Sequence, residues 1–265
     1  MTYCVGFLLE AGLVFASDSR TNAGVDYISS YSKMHVFQPA EDRLFVLLTA
    51  GNLATAQGVL NRIRRDIDDH DPELAARTLS AATEASRSSP RPDLFTARYL
   101  FEAADYVGRL SVEVQEKVAP SLRQAGASAE VSFILGGQIA GERHGLFLIY
   151  PQGNAINATG DTPFLQIGES KYGKPPLDYI GNPGLSLEDA ARLCLVSQII
   201  TRRSNLTVGP PFEIAMVPRD ELRVSRRLKL GKGSTEINRT METWSRAMNE
   251  TLKRLPRFPW EEDPL

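Results

Sequence analysis

Hydrophobic residues along this chain follow two different periods, and the switches between them mark out its elements. An apolar run begins at once: in MTYCVGFLLEAGLVFASDSR, the residues Val5, Phe7, Leu8 and Leu9 precede a Glu10-Ala11-Gly12 turn and a second run from Leu13 to Ala16. Two β-rich runs around a glycine-containing turn predict a hairpin. A loop, TNAGVDY, leads to SSYSKMHVFQ, where Met34, Val36 and Tyr31 supply apolar contacts. After the turn QPAED comes a nearly unbroken apolar run from Leu44 to Leu48. A run without alternation predicts a strand covered on both faces.

The period then changes. NLATAQGVLNRIRRDIDDH sets Leu53, Ala56, Leu60, Ile63 and Ile67 at helical spacing. PELAARTLSAATEA predicts a second helix ended by SRSSPRPD, and LFTARYLFEAADYVGRLSVEV a third. Strand patterning returns in AEVSFILGGQIAGERHGLFLIYPQGN, with Gly136, Gly137 and Gly141 expected in the connection between two runs. Ser186 and Asp189 resemble a capping box that opens a helix reaching about Arg203. FEIAMVP and ELRVSRRLKLG predict two more strands, STEINRTMETWSRAMNETLKRL a last helix, and PRFPWEEDPL a proline-broken tail. Blocks of strands and helices segregated in this way predict an α+β fold. With no internal repeat or low-complexity linker, residues 2–265 are expected to form one domain. Its C-terminal helix and tail, from about residue 234, would pack on that domain or on a neighbour.

Composition narrows the function classes. The 265 residues are 42% hydrophobic and 23% charged, with a net charge of -2 and an isoelectric point near 6.0. Nucleic-acid binding would need a basic patch, so it is not expected. The apolar runs fall short of the ~20 residues of a membrane span. No basic segment precedes the first run, as a secretory signal would require. Cys4 and Cys194 are too few for a disulfide framework, and His35, His70 and His144 lack metal-ligand spacing. A reduced, cytoplasmic protein without metal or cofactor is expected.

The chain start carries the candidate chemistry. Removal of Met1, which the small side chain of Thr2 permits, would free a residue holding both a hydroxyl nucleophile and an α-amine to take its proton. Such an amine has an ordinary pKa of about 7.7 to 8.0 and is available as a base near neutral pH. A threonine at position 2 is commonplace in itself, so its context matters. Asp18 and Arg20 follow the second strand, and Lys33 lies in the next segment. Lys33 would polarise the hydroxyl and favour an unprotonated amine by like-charge repulsion, with Asp18 holding Lys33 in place. Cys4 faces the same way from the same strand and reads as a small buried filler.

Taken together, MTYCVGFLLEAGLVFASDSRTNAG, SKMHVF and TAGN resemble the start of proteasome-type β-subunits, within the N-terminal-nucleophile hydrolases. With IGESKYGKPPLDY and RRSNLTVGPPFEI included, the chain is similar to the bacterial Anbu branch, the proposed ancestral β-subunit. The resemblance runs from Thr2 to about Leu230, and the last helix and tail are also family-like. It implies a four-layer αββα sandwich, assembly into a ring or ring-like spiral of identical subunits, and threonine-dependent hydrolysis of peptides or other amides. Thr2 then matches the nucleophile, Asp18 and Lys33 its supporting pair, and Gly51 the oxyanion donor. Gly136-Gly137 matches a structural glycine pair, and Arg20 stands beside the site.

Two positions depart from the β-subunit pattern. Glu169 stands in place of a serine, with Ser170 next to it, and Ser204 stands in place of an aspartate, with Thr207 as a second hydroxyl. A glutamate near the α-amine would raise the amine's pKa. These departures leave room for an assembly module with little turnover, and the nucleophile also allows transfer to an amine acceptor. On the first helix, Arg62, Arg64, Arg65, Asp66, Asp68 and Asp69 form a polar face expected either in solvent or at a subunit boundary.

Overall fold

The opening hairpin forms where the two apolar runs place it. β1 (Tyr3–Leu9) pairs antiparallel with β2 (Gly12–Asp18), and Gly12 closes the turn at φ +136°, a conformation that favours glycine. The computed structural model describes residues 2–22, 28–70 and 92–261. After the hairpin come β3 (Arg20–Asn22), β4 (Ile28–Ser30), β5 (Met34–Ala40) and β6 (Arg43–Gly51). Helices α1 (Leu53–Asp68) and α2 (Leu100–Gln124) follow, then β7 (Val131–Ile139), β8 (Gly145–Ile149), β9 (Ala155–Asn157) and β10 (Phe164–Gly168). The chain continues through α3 (Ser170–Ile180), α4 (Leu187–Ser204), β11 (Phe212–Pro218), β12 (Arg226–Leu230) and α5 (Thr235–Leu252).

Two five-stranded sheets result, in the orders β10-β1-β2-β11-β12 and β5-β6-β7-β8-β9, beside a small β3-β4 pair. Strand alternation explains how they stack. In β1, Tyr3, Val5, Phe7 and Leu9 pack with Leu177 of α3 and Ala190, Cys194 and Ile199 of α4. In β6, Phe45 and Leu47 pack with Val59 and Ile63 of α1 and Ala103 and Val107 of α2. The opposite faces of the two sheets meet through Cys4, Phe15, Leu44, Val46, Leu48 and Ile134. Three apolar layers between four layers of secondary structure make an αββα sandwich, as the resemblance implies. The run Leu44 to Leu48 is buried on both faces for this reason.

Several elements differ from the sequence pattern. The third predicted helix starts at Leu100, later than its apolar spacing suggests. Asp93 accepts the N–H groups of Phe95 and Thr96 and holds a turn there, and the Glu102 carboxylate then accepts those of Arg98 and Tyr99. The helix also runs on through a polar stretch to Gln124. β10 and α3 are unpredicted; Pro175 and Pro176 lie inside α3, where their fixed φ suits a helix. β12 is shorter than its pattern, and Thr21 and Asn22 belong to β3 and not to a loop. The second predicted helix lies outside the described residues. Arg62 bonds Glu113 of α2, Arg65 bonds Asp66 and Arg64 bonds Asn61, so these cations of the α1 face have partners within the chain.

Gly136 and Gly137 are not in the turn after β7; they lie within the strand, and only Gly141, at φ +83°, serves the turn. A Cβ on Gly136 would sit 2.5 Å from the Phe15 ring, and one on Gly137 would sit 2.1 Å from the Leu44 carbonyl oxygen. The obstruction at Gly137 is backbone and cannot swing aside. Gly137→Ala is therefore expected to cost about 3 kcal/mol of stability, whereas a flexible side chain facing the new methyl would yield more cheaply. Urea unfolding of the variant checks this, and a loss below 1 kcal/mol would contradict it.

Candidate active site

Thr2 lies at the open end of β1, and local pairing gathers charge around it. The carboxylate of Asp18, at the end of the neighbouring strand, is fully buried. Its Oδ1 accepts from the Tyr3 N–H (3.0 Å) and from Lys33 Nζ (2.7 Å). Its Oδ2 accepts from the N–H groups of Arg20 and Gly209, both at 3.2 Å. Burial pushes the Asp18 pKa up, and the Lys33 ammonium and these N–H groups pull against it. Lys33 is nearly buried and also donates to the Arg20 carbonyl at 2.7 Å. Its backbone is anchored by the Thr49 N–H, which donates to the Lys33 carbonyl.

Gly51 completes the arrangement from the other sheet. The Asn52 N–H donates to the Glu130 carbonyl on the β7 side, while the Thr49 N–H points the other way, to Lys33. Alternation in an antiparallel ladder then turns the Gly51 N–H away from β7, toward the cleft beyond the start of β5. Gly51 adopts φ +128°, and a Cβ there would lie 2.3 Å from the Glu130 carbonyl oxygen. Asn52 caps α1 by accepting the Thr55 N–H, which fixes the strand-to-helix junction. A cleft of about 500 Å³ is lined by Thr2, Arg20, Thr21, Lys33, Gly51 and Glu130 among others. It brings a hydroxyl, a buried ammonium and a backbone N–H into one space.

The remaining candidates divide. The Glu169 N–H donates to the Thr2 carbonyl at 2.7 Å, an approach that Gly168 permits, since a Cβ on Gly168 would lie 2.0 Å from that oxygen. Glu169 is buried, and its Oε2 accepts from Asn205 Nδ2 at 2.9 Å. Asn205 Oδ1 in turn accepts from the N–H and hydroxyl of Thr207. Ser204 ends α4 in an exposed position, so Asn205, its neighbour, is the residue that reaches Glu169. Ser170 opens α3, where its carbonyl lies 3.4 Å from Gln166 Nε2. The Arg20 guanidinium bonds the Leu206 carbonyl, beside Gly209.

Sequence reasoning missed Gly209, Asn205 and the contacts that seat Tyr3. The Tyr3 hydroxyl bonds Ser197 at 2.6 Å, and Gln198 donates to the Tyr3 carbonyl at 3.1 Å, so α4 fixes the residue after Thr2. Cys4 is fully buried between the sheets, with Sγ 3.6 Å from the Thr49 carbonyl, and burial pushes its thiol pKa far up. Among the described residues, no group of His, Cys, Asp and Glu side chains is arranged to hold a metal ion. No helix among them is long and apolar enough to cross a membrane.

Comparison with solved structures gives relatives over the whole chain. The Gly-1 mutant of Anbu from Hyphomicrobium sp. strain MC1 is 40% identical, with a TM-score of 0.81 and 97% of this chain and 99% of that chain covered. Anbu (ancestral beta-subunit) from Yersinia bercovieri is 36% identical, with the same TM-score and coverage. The helical assembly of the Anbu complex from Pseudomonas aeruginosa provides a third, 40% identical with a TM-score of 0.81, covering 99% of this chain and 100% of that one. No family model and no curated protein matches the chain.

Proposed function

Because the chain belongs to the Anbu family of proteasome-related β-subunits, we propose that it is a threonine amide hydrolase acting on peptides or other amides, with Thr2 as nucleophile once Met1 is removed. One observation supports this reading above the others. The buried Lys33 ammonium, held by Asp18 and the Arg20 carbonyl, lines the same cleft as Thr2 and the cleft-facing N–H of Gly51.

In the proposed reaction the Thr2 hydroxyl attacks the amide carbonyl carbon and passes its proton to the free α-amine. The nearby Lys33 charge favours the unprotonated amine before attack. Electrons displaced onto the carbonyl oxygen are met by the Gly51 N–H, at a strand-to-helix junction suited to developing negative charge. Collapse expels the amine, which takes the proton from the Thr2 ammonium, and leaves an ester on Thr2. Water then cleaves the ester; an amine acceptor in its place would make the same site a transferase. Glu169, buried and tied to Thr2 through its backbone N–H, puts a carboxylate held by Asn205 where a β-subunit has a serine, and a carboxylate near the α-amine would favour the ammonium form. An assembly role with little turnover has that feature as its support.

The α-amine as base has a direct consequence. A chain carrying an intact peptide upstream of Thr2 is expected to be inactive and to regain activity when a protease trims it to Thr2. Turnover by the untrimmed chain would overturn the mechanism. By analogy with the Pseudomonas aeruginosa assembly, the chain is expected to form a large homo-oligomer, and sedimentation of a monomer at both low and high salt would contradict that. Its two cysteines, free and buried, suit a reducing compartment such as the cytoplasm.

A further inference from the structure

Glu213 interrupts an apolar strand, FEIAMVP, and is only 1% exposed. Phe212 and Ile214 face the α4 side, so alternation turns Glu213 inward, toward the second sheet. An ionised carboxylate there must give up its hydration, and an apolar residue of its size would stabilise the layer as well or better. Packing therefore does not account for Glu213.

Its contacts point to the site. Oε1 accepts from Ser19 Oγ at 3.2 Å, and Oε2 accepts from Arg227 Nη2 at 2.9 Å. Lys229 Nζ lies 3.7 Å from Oε1, and Arg227 Nη2, held by Glu213, also lies 3.5 Å from the Met34 carbonyl oxygen. Burial alone would raise its pKa, but the Arg227 hydrogen bond and the Lys229 charge pull against it, and it lies below the usual carboxylate range. Ser19 adjoins Asp18, and Met34, which Glu213 reaches through Arg227, adjoins Lys33. The Ser19 carbonyl also accepts the Tyr31 N–H at 2.9 Å, which draws the same two segments together.

We infer that Glu213 is a positioning residue: it grips the segments bearing Asp18 and Lys33 and so keeps the Lys33 ammonium aimed at Thr2. This rests on the assignment of Thr2 as nucleophile. A loosened pair would cost rate through misplacement, and it would weaken the repulsion that keeps the α-amine unprotonated. A residue that only stabilises the fold would lower stability and leave the pH profile of the folded fraction where it was.

The test uses the full, Met-free chain and a threonine-directed electrophile, with labelling rate followed against pH and amide exchange measured at Tyr3 and Gly209, two of the three backbone donors to Asp18. In Glu213→Gln, labelling is expected to slow about tenfold, its profile to move to higher pH, and both amides to exchange faster while Phe133 keeps its protection. A folded Glu213→Gln protein with unchanged rate, profile and exchange would overturn the inference. Should that variant not fold, Arg227→Ala, which removes a half-exposed partner, is expected to move the same readouts in the same direction, and no movement there would equally overturn it. Absence of labelling in the unaltered chain would sink the Thr2 assignment instead, and the exchange comparison would then decide the role of Glu213 alone.

Discussion

Thr2→Ala is expected to abolish labelling by a threonine-directed electrophile and to lower amide hydrolysis by about ten-thousand-fold or more, the usual scale for loss of a nucleophile. The fold should barely notice, because the Thr2 side chain is only partly buried and its carbonyl keeps the Glu169 contact. No nearby group can substitute. Cys4 is sealed between the sheets, with a thiol whose ionisation burial disfavours, so Cys4→Ala should label like the unaltered chain. A label that maps to Cys4, or that survives Thr2→Ala, would move the chemistry elsewhere.

Lys33→Ala should lose both labelling and stability. Removing the ammonium leaves the Asp18 carboxylate buried with only N–H donors, and breaking a buried pair from one side costs about 3 to 5 kcal/mol. The pH dependence follows from the direction of the Asp18 shift. Burial raises its folded pKa above the unfolded value, most of all without Lys33, so the folded state binds the extra proton and stability falls as pH rises through that folded pKa. The deficit of Lys33→Ala against the unaltered chain should therefore be larger at pH 7.5 than at pH 5 in urea unfolding. The double variant Asp18→Asn, Lys33→Met should recover most of the stability and none of the labelling. Equal recovery of both would mean that Lys33 is structural only.

How far the sequence displayed these features depended on distance along the chain. Thr2 precedes the first strand of one hairpin, Asp18 ends its second, and Lys33 leads into β5, so local spacing brought the three together. Gly51 stood out because the period changes there from strand to helix. Gly209 and Asn205 join the site from beyond α4, and nothing in their own neighbourhood marks them until the second half of the chain folds back against β2. The glycines of β7 misled for a related reason. A glycine pair between apolar runs looks like a turn, and only the Phe15 ring and the Leu44 backbone packed against it explain its place within a strand. The sequence does not single out Glu213 in the strand FEIAMVP, because its partners Ser19 and Arg227 emerge only from the pairing of β11 with β2 and β12.

The most direct test of Thr2 as nucleophile is intact-mass measurement of the purified protein before and after treatment with a threonine-directed electrophile, followed by peptide mapping. The expected result is a chain that begins at Thr2 and gains one adduct, carried by the N-terminal peptide and located on Thr2. A chain that begins at Thr2 yet gains no adduct, or gains it on another residue, would contradict the assignment.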